Sequence, residues 1–170
     1  MKDESTGFTR EDVQAIVSDY FGHEKEKLVD RLKKIADDVD ELTASITSQG
    51  GSPAEWSPVE TLAHMVTSSQ YFGWLAHQVA VKKGDSGDIF EMLKMRDAVT
   101  SQAADQPADV LSKQLRDNLE RTSAFVEKVS VDDLRTKFDY VGRELTVEDL
   151  IRIPLCAHLE SHIDQIRDSR

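Results

Sequence analysis

The chain has 170 residues, enough for one domain with a substantial core and too few for two, so we expect a single domain over residues 1–170. Its 32 acidic and 21 basic side chains give a net charge of −11, which repels phosphate backbones and anionic lipids and argues against nucleic acid and membrane as partners. The sequence has no apolar signal segment, no membrane-spanning run and a single cysteine, Cys156, so it predicts a cytoplasmic protein. We expect residues 1–8 to be flexible.

The N-terminal part of the chain predicts two helices. Thr9–Asp12 has the form of a helix start and is followed by apolar residues at helical spacing as far as Gly22, which indicates a short extra N-terminal helix. The apolar side chains of a longer helix then alternate steps of four and three: Leu28, Leu32, Ile35, Val39, Leu42 and Ile46. That spacing is typical of the buried seam of a helical bundle.

Two more helices are predicted in the middle of the chain. Ser57–Glu60 has the residues of a capping box with proline in the first turn, so a second main helix starts here and runs to about Val81. A long, partly helical connection is expected up to about Asp105, and a third main helix from there to about Ser130. Its predicted inner side chains are Val110, Leu111, Leu115, Leu119, Thr122, Phe125, Val126 and Val129.

The C-terminal part predicts a loop or short hairpin and then a fourth main helix. Residues 132–144 have no helical period, whereas Thr146–Asp149 caps a helix with acids in its first turn. Because Pro154 cannot donate a backbone hydrogen bond to Leu150, we expect a bend one turn before His158. Four principal amphipathic helices predict an all-α fold, a four-helix bundle.

His158 and His162 are the most informative residues of the sequence. They are four residues apart, so they lie on one helix face, along the same stripe as Val147, Ile151, Leu155 and Ile166. Buried imidazoles are costly unless their ring nitrogens are satisfied, and two such rings would repel each other if both were protonated. A divalent cation removes both problems, and a pair of hydrogen-bonded core histidines is the alternative interpretation.

A metal site needs a third protein ligand, for which His23, His64, His77 and carboxylates are candidates. On a straight helical wheel, His77 lies at the edge of the inner stripe of the second main helix, whereas His64 falls on the other side. Spacing alone therefore favours His77. This helix is apolar nearly all round, however, so the wheel separates the two histidines poorly and leaves the ligand open.

Two helix starts and the histidines that follow them resemble those of the DinB/YfiT-like superfamily of metal-dependent enzymes. The matching residues are Trp56-Ser57-Pro58, His64, Thr146-Val147-Glu148-Asp149, His158, His162 and Gln165-Ile166. The resemblance implies a four-helix bundle with an up-down-down-up course, in which one histidine of the second helix and two of the fourth hold a divalent metal. Carried over by position, these ligands are His64, His158 and His162, so the resemblance selects His64 rather than His77.

The resemblance also implies a function. Three nitrogen ligands leave open coordination positions, which is the arrangement of a catalytic metal, and zinc or nickel is favoured over iron or manganese. The superfamily includes thiol transferases and isomerases, so we expect a small-molecule substrate and a metal that activates water or a low-molecular-weight thiol. The alternative is a non-catalytic, stress-related binding or dimerisation module. Apolar helix faces favour a homodimer in either case.

Four residues are candidates for a general base or for a group that orients a ligand: Asp139, Tyr140, Glu144 and Gln165. Glu160 does not match the glutamate of the zinc-protease motif, which directly follows the first histidine. It stands two residues after His158, roughly 160° or more around the helix from the ligand face, so we expect it to point to solvent. Cys156 is expected to be a packing or surface thiol. The aromatic residues that are candidates for lining a pocket beside the metal are Trp56, Tyr71, Phe72 and Trp74.

Overall fold

The computed structural model describes residues 10–44, 46 and 56–168. Its helices are α1 (Arg10–Thr43), α2 (Pro58–Val81), α3 (Ile89–Ala103), α4 (Ala108–Lys128), α5 (Val131–Leu134), α6 (Val147–Leu150), a π-helical segment (Ile151–Ala157) and α7 (His158–Asp168). A small antiparallel sheet pairs β1 (Lys137–Tyr140) with β2 (Arg143–Thr146). Since α6, the π-helical segment and α7 follow one another without a break, we call them together the C-terminal helix. The predicted all-α bundle is confirmed, and the flexibility expected of residues 1–8 falls outside the described residues.

Helices α1 and α4 pack side by side in opposite directions. Lys25, in the first half of α1, donates a hydrogen bond of 2.8 Å to the carbonyl of Val129, just after the end of α4. Asp40, near the end of α1, accepts one of 3.1 Å from the hydroxyl of Ser112, in the first turns of α4. Early residues of one helix thus meet late residues of the other, so α4 runs antiparallel to α1.

The C-terminal helix runs parallel to α1. Arg152 reaches Glu24 at 3.2 Å, and Arg167 reaches Asp38 at 3.6 Å, so the pairings advance in the same direction along both helices. These pairs are partly exposed, and pairs of that kind contribute at most about 1 kcal/mol each. They are more useful as markers of helix direction than as sources of stability.

Helices α2 and α4 run parallel to each other. Asn118 donates to the carbonyl of Val66 at 3.1 Å, and the rings of His77 and Phe125 lie 5.4 Å apart, so both pairings advance together. A parallel pair needs a long connection, and α3 lies within it. The main helices therefore follow the expected up-down-down-up course.

The core of the bundle follows the predicted seams closely. Five of the seam residues of α1 are buried, with Ile46 partly buried behind them: Leu28, Leu32, Ile35, Val39 and Leu42. On α4, Leu111, Leu115 and Leu119 are buried as predicted, whereas Val110 is 39% exposed. The prediction for Val110 is wrong because it precedes Leu111 by one position, about 100° away around the helix.

The prediction of a separate N-terminal helix that ends at Gly22 is wrong. Helix α1 runs without interruption from Arg10 through Gly22 to Thr43. A single glycine costs a helix only about 1 kcal/mol relative to alanine, and the long helix that continues beyond it offsets that cost. The first turns of α1 leave apolar side chains exposed, including Ile16 and Tyr20.

The boundaries of α2 agree with the sequence pattern. Ser57 accepts a hydrogen bond from the backbone of Glu60 at 3.2 Å, and the Glu60 carboxylate accepts one from the backbone of Ser57 at 2.7 Å. Pro58 occupies the first turn, where its missing N–H has no helical partner to lose. In the part of the chain that the structure describes, no helix is both long and apolar enough to cross a membrane.

The hairpin alternative for residues 132–144 is the one that forms, although α5 adds a single helical turn before it. Val141 and Gly142 both have positive φ, 55° and 80°, as two-residue hairpin turns commonly require. Within β1, Phe138 is buried and Tyr140 partly buried, whereas Asp139 between them is exposed. The alternation follows from the two-residue period of a strand.

Gly73 is required where α2 approaches α4. A Cβ atom at this position would lie 2.4 Å from the hydroxyl oxygen of Thr122. That hydroxyl donates a hydrogen bond of 3.0 Å to the carbonyl of Asn118, so it cannot rotate away without losing the bond.

Replacing Gly73 by alanine should lower the free energy of unfolding by about 1–3 kcal/mol, because the overpacking outweighs the gain in helix propensity. In a Thr122→Ala background, the Gly73→Ala change should become neutral or stabilising, since the hydroxyl in its way is absent. Urea unfolding of the four proteins in this double-mutant cycle measures the coupling. Strictly additive effects would contradict a direct contact.

Candidate metal centre

The C-terminal helix begins with a capping box and contains a π-helical segment directly before His158. Thr146 accepts from the backbone of Asp149 at 3.1 Å, and the Asp149 carboxylate accepts from the backbone of Thr146 at 3.0 Å. Pro154 lies in the π-helical segment, and the backbone N–H of His158 bonds to the carbonyl of Ile153, five residues back. The irregularity predicted from Pro154 thus takes the form of a widened turn, a feature frequent at functional sites.

Three histidines from two helices converge in the bundle. His64 lies in the second turn of α2 and is 7% exposed, while His158 and His162 are partly buried on successive turns of α7. The His64 ring centroid lies 5.1 Å from that of His158 and 5.0 Å from that of His162. The latter two rings are 4.5 Å apart. One ring nitrogen of each histidine lies within 4.8 Å of the other two, a grouping that could hold a metal ion.

The nitrogen atoms of the three rings fit a shared cation. The Nε2 atoms of His64 and His158 are 2.9 Å apart, and Nε2 of His162 is buried without a hydrogen-bond partner among the described residues. A tetrahedral zinc ion with bonds of about 2.0–2.1 Å separates its ligand nitrogens by roughly 3.3 Å. The separation of the His64 and His158 nitrogens is therefore close to that of two zinc ligands, and an ion would satisfy the otherwise costly buried Nε2 atom of His162.

Two neighbouring side chains orient these rings. The side-chain oxygen of Gln165 lies 2.8 Å from Nδ1 of His162, so Nδ1–H donates to it and Nε2 keeps its lone pair. Ser68, one turn after His64 on α2, places its hydroxyl 3.2 Å from Nε2 of His64. The Gln165 contact, at the ring nitrogen that faces away from the cluster, is the usual support of a metal-binding imidazole. The Ser68 hydroxyl instead contacts the nitrogen of His64 that faces His158.

The electrostatic surroundings keep His158 neutral. Burial, the neighbouring His162 and the positive charge of Arg96, in that order of importance, together lower the pKa of His158 to about 4. A neutral imidazole has the lone pair that a metal requires, whereas an imidazolium has none. At physiological pH His158 is therefore in the form that can bind a cation.

Aromatic rings enclose part of the histidine cluster. The indole of Trp56 lies 4.7 Å from the His64 ring and stacks on the His162 ring at 6.2 Å with an interplanar angle of 23°. The Phe72 ring lies 6.4 Å from the His158 ring. Trp56 and Phe72 thus lie beside the histidines as predicted. No ring contact between Trp74 and the three histidines is seen in the described part of the chain.

The other two histidines lie elsewhere. His77 is exposed, and its ring packs against Phe125. His23 is exposed on α1, next to Asp19 and Glu26. The helical wheel favoured His77 over His64 because it did not include the course of the bundle, which brings the N-terminal turns of α2, rather than its end, to α7.

Of the four candidate catalytic or orienting residues, two lie near the histidine cluster and two lie on the exposed face of the hairpin. Gln165 contacts His162, as described. The Tyr140 ring lies 6.4 Å, between centroids, from that of Phe72, which in turn lies 6.4 Å from the His158 ring. Asp139 and Glu144 are cross-strand partners on the exposed face of the hairpin, and Glu144 pairs with Lys137 at 2.7 Å. The structure does not bring these two carboxylates to the histidine cluster.

Glu160 and Arg31 form a contact that the sequence did not predict. Both carboxylate oxygens of Glu160 accept from the Arg31 guanidinium, at 2.7 and 2.6 Å, and Arg31 also donates to the carbonyl of Arg152. The expectation that Glu160 simply points to solvent is therefore incomplete, because a bidentate pair ties α7 to α1 between the two histidines. Nothing in the spacing of either residue indicates this pairing. Ser68, four residues after His64, did carry a helical-spacing signal.

The fold and the histidine cluster define a helical bundle with a candidate metal centre between its second and last main helices. The family model of the DinB superfamily matches residues 24–166. The chain therefore belongs to the DinB superfamily, as the resemblance of its motifs indicated. Neither the curated proteins nor the solved structures gave a significant match.

Cys156 should be chemically inert in the folded protein. Its side chain is completely buried, and burial raises the pKa of its thiol to about 12. Iodoacetamide at pH 8 should therefore leave the native protein unmodified and label it once after denaturation in guanidinium, which mass spectrometry detects. The readout is unambiguous because the chain has one cysteine. Rapid labelling of the native protein would show that the thiol is accessible.

Proposed function

We propose that this protein is a divalent-metal-dependent enzyme of the transferase or hydrolase class, with His64, His158 and His162 as the metal ligands. The observation that carries the proposal is the buried Nε2 atom of His162, which has no hydrogen-bond partner among the described residues and lies beside two further imidazoles. Membership of the DinB superfamily supports the same ligand set. Zinc and nickel are the favoured ions, with iron and manganese as alternatives.

A divalent ion held by three neutral nitrogens retains open coordination positions and supplies Lewis-acid chemistry, which lowers the pKa of a water or thiol bound to it. The protein residues then have separate tasks. Gln165 accepts a hydrogen bond from Nδ1–H of His162, which leaves the lone pair of Nε2 available for the ion. Trp56 packs against the rings of His64 and His162 and restricts their movement.

Tyr140 is the residue we assign to proton and hydrogen-bond chemistry near the substrate. Burial raises the pKa of its phenol, so the hydroxyl stays protonated at neutral pH. A protonated phenol can donate a hydrogen bond to an oxygen atom that gains negative charge during the reaction, and it is a poor general base. Among the four candidates, Tyr140 and Gln165 are therefore the two that the proposal retains.

Metal content tests the proposed ligands. Protein stripped with a chelator should take up about one equivalent of zinc or nickel, with a rise in Tm, because the ion binds only the folded state. His158→Ala and His162→Ala should each lose that uptake. His77→Ala should keep it, since His77 is a histidine of the same helix as His64 that lies outside the cluster. Equal metal uptake by all four proteins, or none by the wild type, would contradict the proposal.

The choice between water and thiol can be examined without knowing the substrate. A thiol that binds the metal should give cobalt-loaded protein a sulfur-to-metal charge-transfer band when cysteine is added, and His158→Ala should give none. Conjugation of thiols to simple electrophiles and hydrolysis of simple esters and amides then separate the transferase from the hydrolase. A protein that binds metal but accelerates neither reaction class would favour the non-catalytic binding or dimerisation module.

Gln165 should act on metal affinity through His162. Replacing Gln165 by leucine removes the acceptor of Nδ1–H and should weaken zinc binding by about 10–100-fold, whereas Gln165→Glu keeps an acceptor and should retain most of the affinity. Competition with a chromophoric chelator measures both variants. Gln165 is exposed, so the Tm of the metal-free protein should stay unchanged. An unaltered zinc affinity in Gln165→Leu would show that this hydrogen bond has no supporting role.

A further inference from the structure

A second feature of the molecule, separate from the three histidines, is a cavity between α2, α3 and α4 with a volume of about 590 Å³. This volume lies within the range of small-molecule sites, about 300–1,000 Å³. None of the three proposed metal ligands lines it. Its mouth is open to solvent, because the lining residues Trp74, Met95 and Val99 are exposed.

The walls of the cavity are mainly apolar. Met92, Met95 and Val99 come from α3, Trp74 from α2 and Phe125 from α4. Methionine side chains are flexible and polarizable, so they adapt to ligands of different outlines, and the aromatic rings offer flat contact surfaces. An apolar ligand body fits such walls.

The floor of the cavity is polar. Thr67, Ser69, Asn118 and Thr122 are buried there and hydrogen-bonded to the protein. Tyr71 is also buried in the lining, and its hydroxyl has no hydrogen-bond partner among the described residues. Buried hydroxyls without partners are uncommon, since each costs about 1–3 kcal/mol, and they frequently mark the place of a ligand or an ordered water.

The charge of the lining is opposite to that of the protein. Both of the charged side chains that line the cavity in the described part of the chain are arginines, Arg96 of α3 and Arg121 of α4. The protein as a whole has a net charge of −11. A pair of arginines at an apolar cavity of such an acidic protein is a specific feature, because guanidinium groups bind carboxylates and similar anions in defined geometry.

Tyr71 also connects the cavity with the candidate metal centre. It lines the cavity, and its ring lies 5.1 Å from that of Phe72. The Phe72 ring in turn lies 6.4 Å from that of His158. Two successive ring contacts thus lead from the cavity lining to the histidine cluster.

We propose that this cavity binds a small organic anion, with its apolar body against Trp74, Phe125 and the methionines and its acid group paired with Arg96 and Arg121. The binding itself is independent of any metal. Only the further step, that this anion is the substrate of the histidine centre, rests on the proposed function. The substrate class would then be an organic acid with an apolar chain or ring.

Octanoate and octanamide form a matched pair of probes, since they differ in charge and hardly in shape. Chelator-treated, metal-free protein should bind octanoate about tenfold more tightly than octanamide in calorimetric titrations, because only the carboxylate gains an arginine partner. The two tryptophan indole N–H resonances in a ¹⁵N-correlated spectrum, assigned with Trp56→Phe, locate the probe. Octanoate should shift the resonance of Trp74 much more than that of Trp56.

Charge-removing variants complete the test. Arg96→Gln and Arg121→Gln should each weaken octanoate binding several-fold and leave octanamide binding unchanged. Arg143→Gln is the control, because it removes the same charge from the exposed hairpin outside the cavity lining. Equal affinity for the two probes, a shift confined to Trp56, or no binding at millimolar concentration would overturn the proposal. Since the titrations use metal-free protein, a failure of the metal centre leaves this result intact and is recognised separately.

Discussion

Three imidazole rings within about 5 Å of one another are the constraint on which the rest of this structure depends. Rings this close cannot all be protonated, and buried ring nitrogens need partners. The surroundings meet both demands only in part: burial keeps His158 neutral and Gln165 satisfies Nδ1 of His162, but Nε2 of His162 is left without a partner among the described residues. A histidine cluster with one unpartnered buried nitrogen is suited to binding a cation and poorly suited to a role in packing alone.

The helices supply the precision that such a cluster requires. His64 follows a fully formed capping box, so its position on α2 is fixed within two turns of a defined helix start. On the C-terminal helix, the π-helical segment around Pro154 sets the rotation of α7 and hence the direction of His158 and His162. The bidentate contact of Arg31 with Glu160 then ties this part of α7 to α1. The capping box, the π-helical segment and the Arg31–Glu160 pair each fix the position of the backbone that carries the histidines. A metal or substrate could not set that position by itself.

The up-down-down-up course creates the second functional feature. Because α2 and α4 are parallel, the chain needs a long connection between them, and α3 in that connection packs against α2 to form one wall of the cavity. The connection thus contributes Arg96 to the cavity lining. The topology that brings His64 to α7 and the topology that builds the cavity are therefore the same.

What the sequence by itself determined was local: the caps of α2 and of the C-terminal helix, the seam of α1, and the placement of His158 and His162 on one helix face. These features depend on residues within a few turns of one another, so spacing is enough to reveal them. Residue spacing wrongly predicted a helix end at Gly22, where the stability of a long helix outweighed the local signal. Spacing also did not decide whether His64 or His77 is the third ligand, and the family resemblance selected His64. Only the tertiary structure decided which turn of α2 meets α7, which hairpin residues face inward, and that Arg31 pairs with Glu160, because these contacts join residues far apart in sequence whose relative position is set by helix packing.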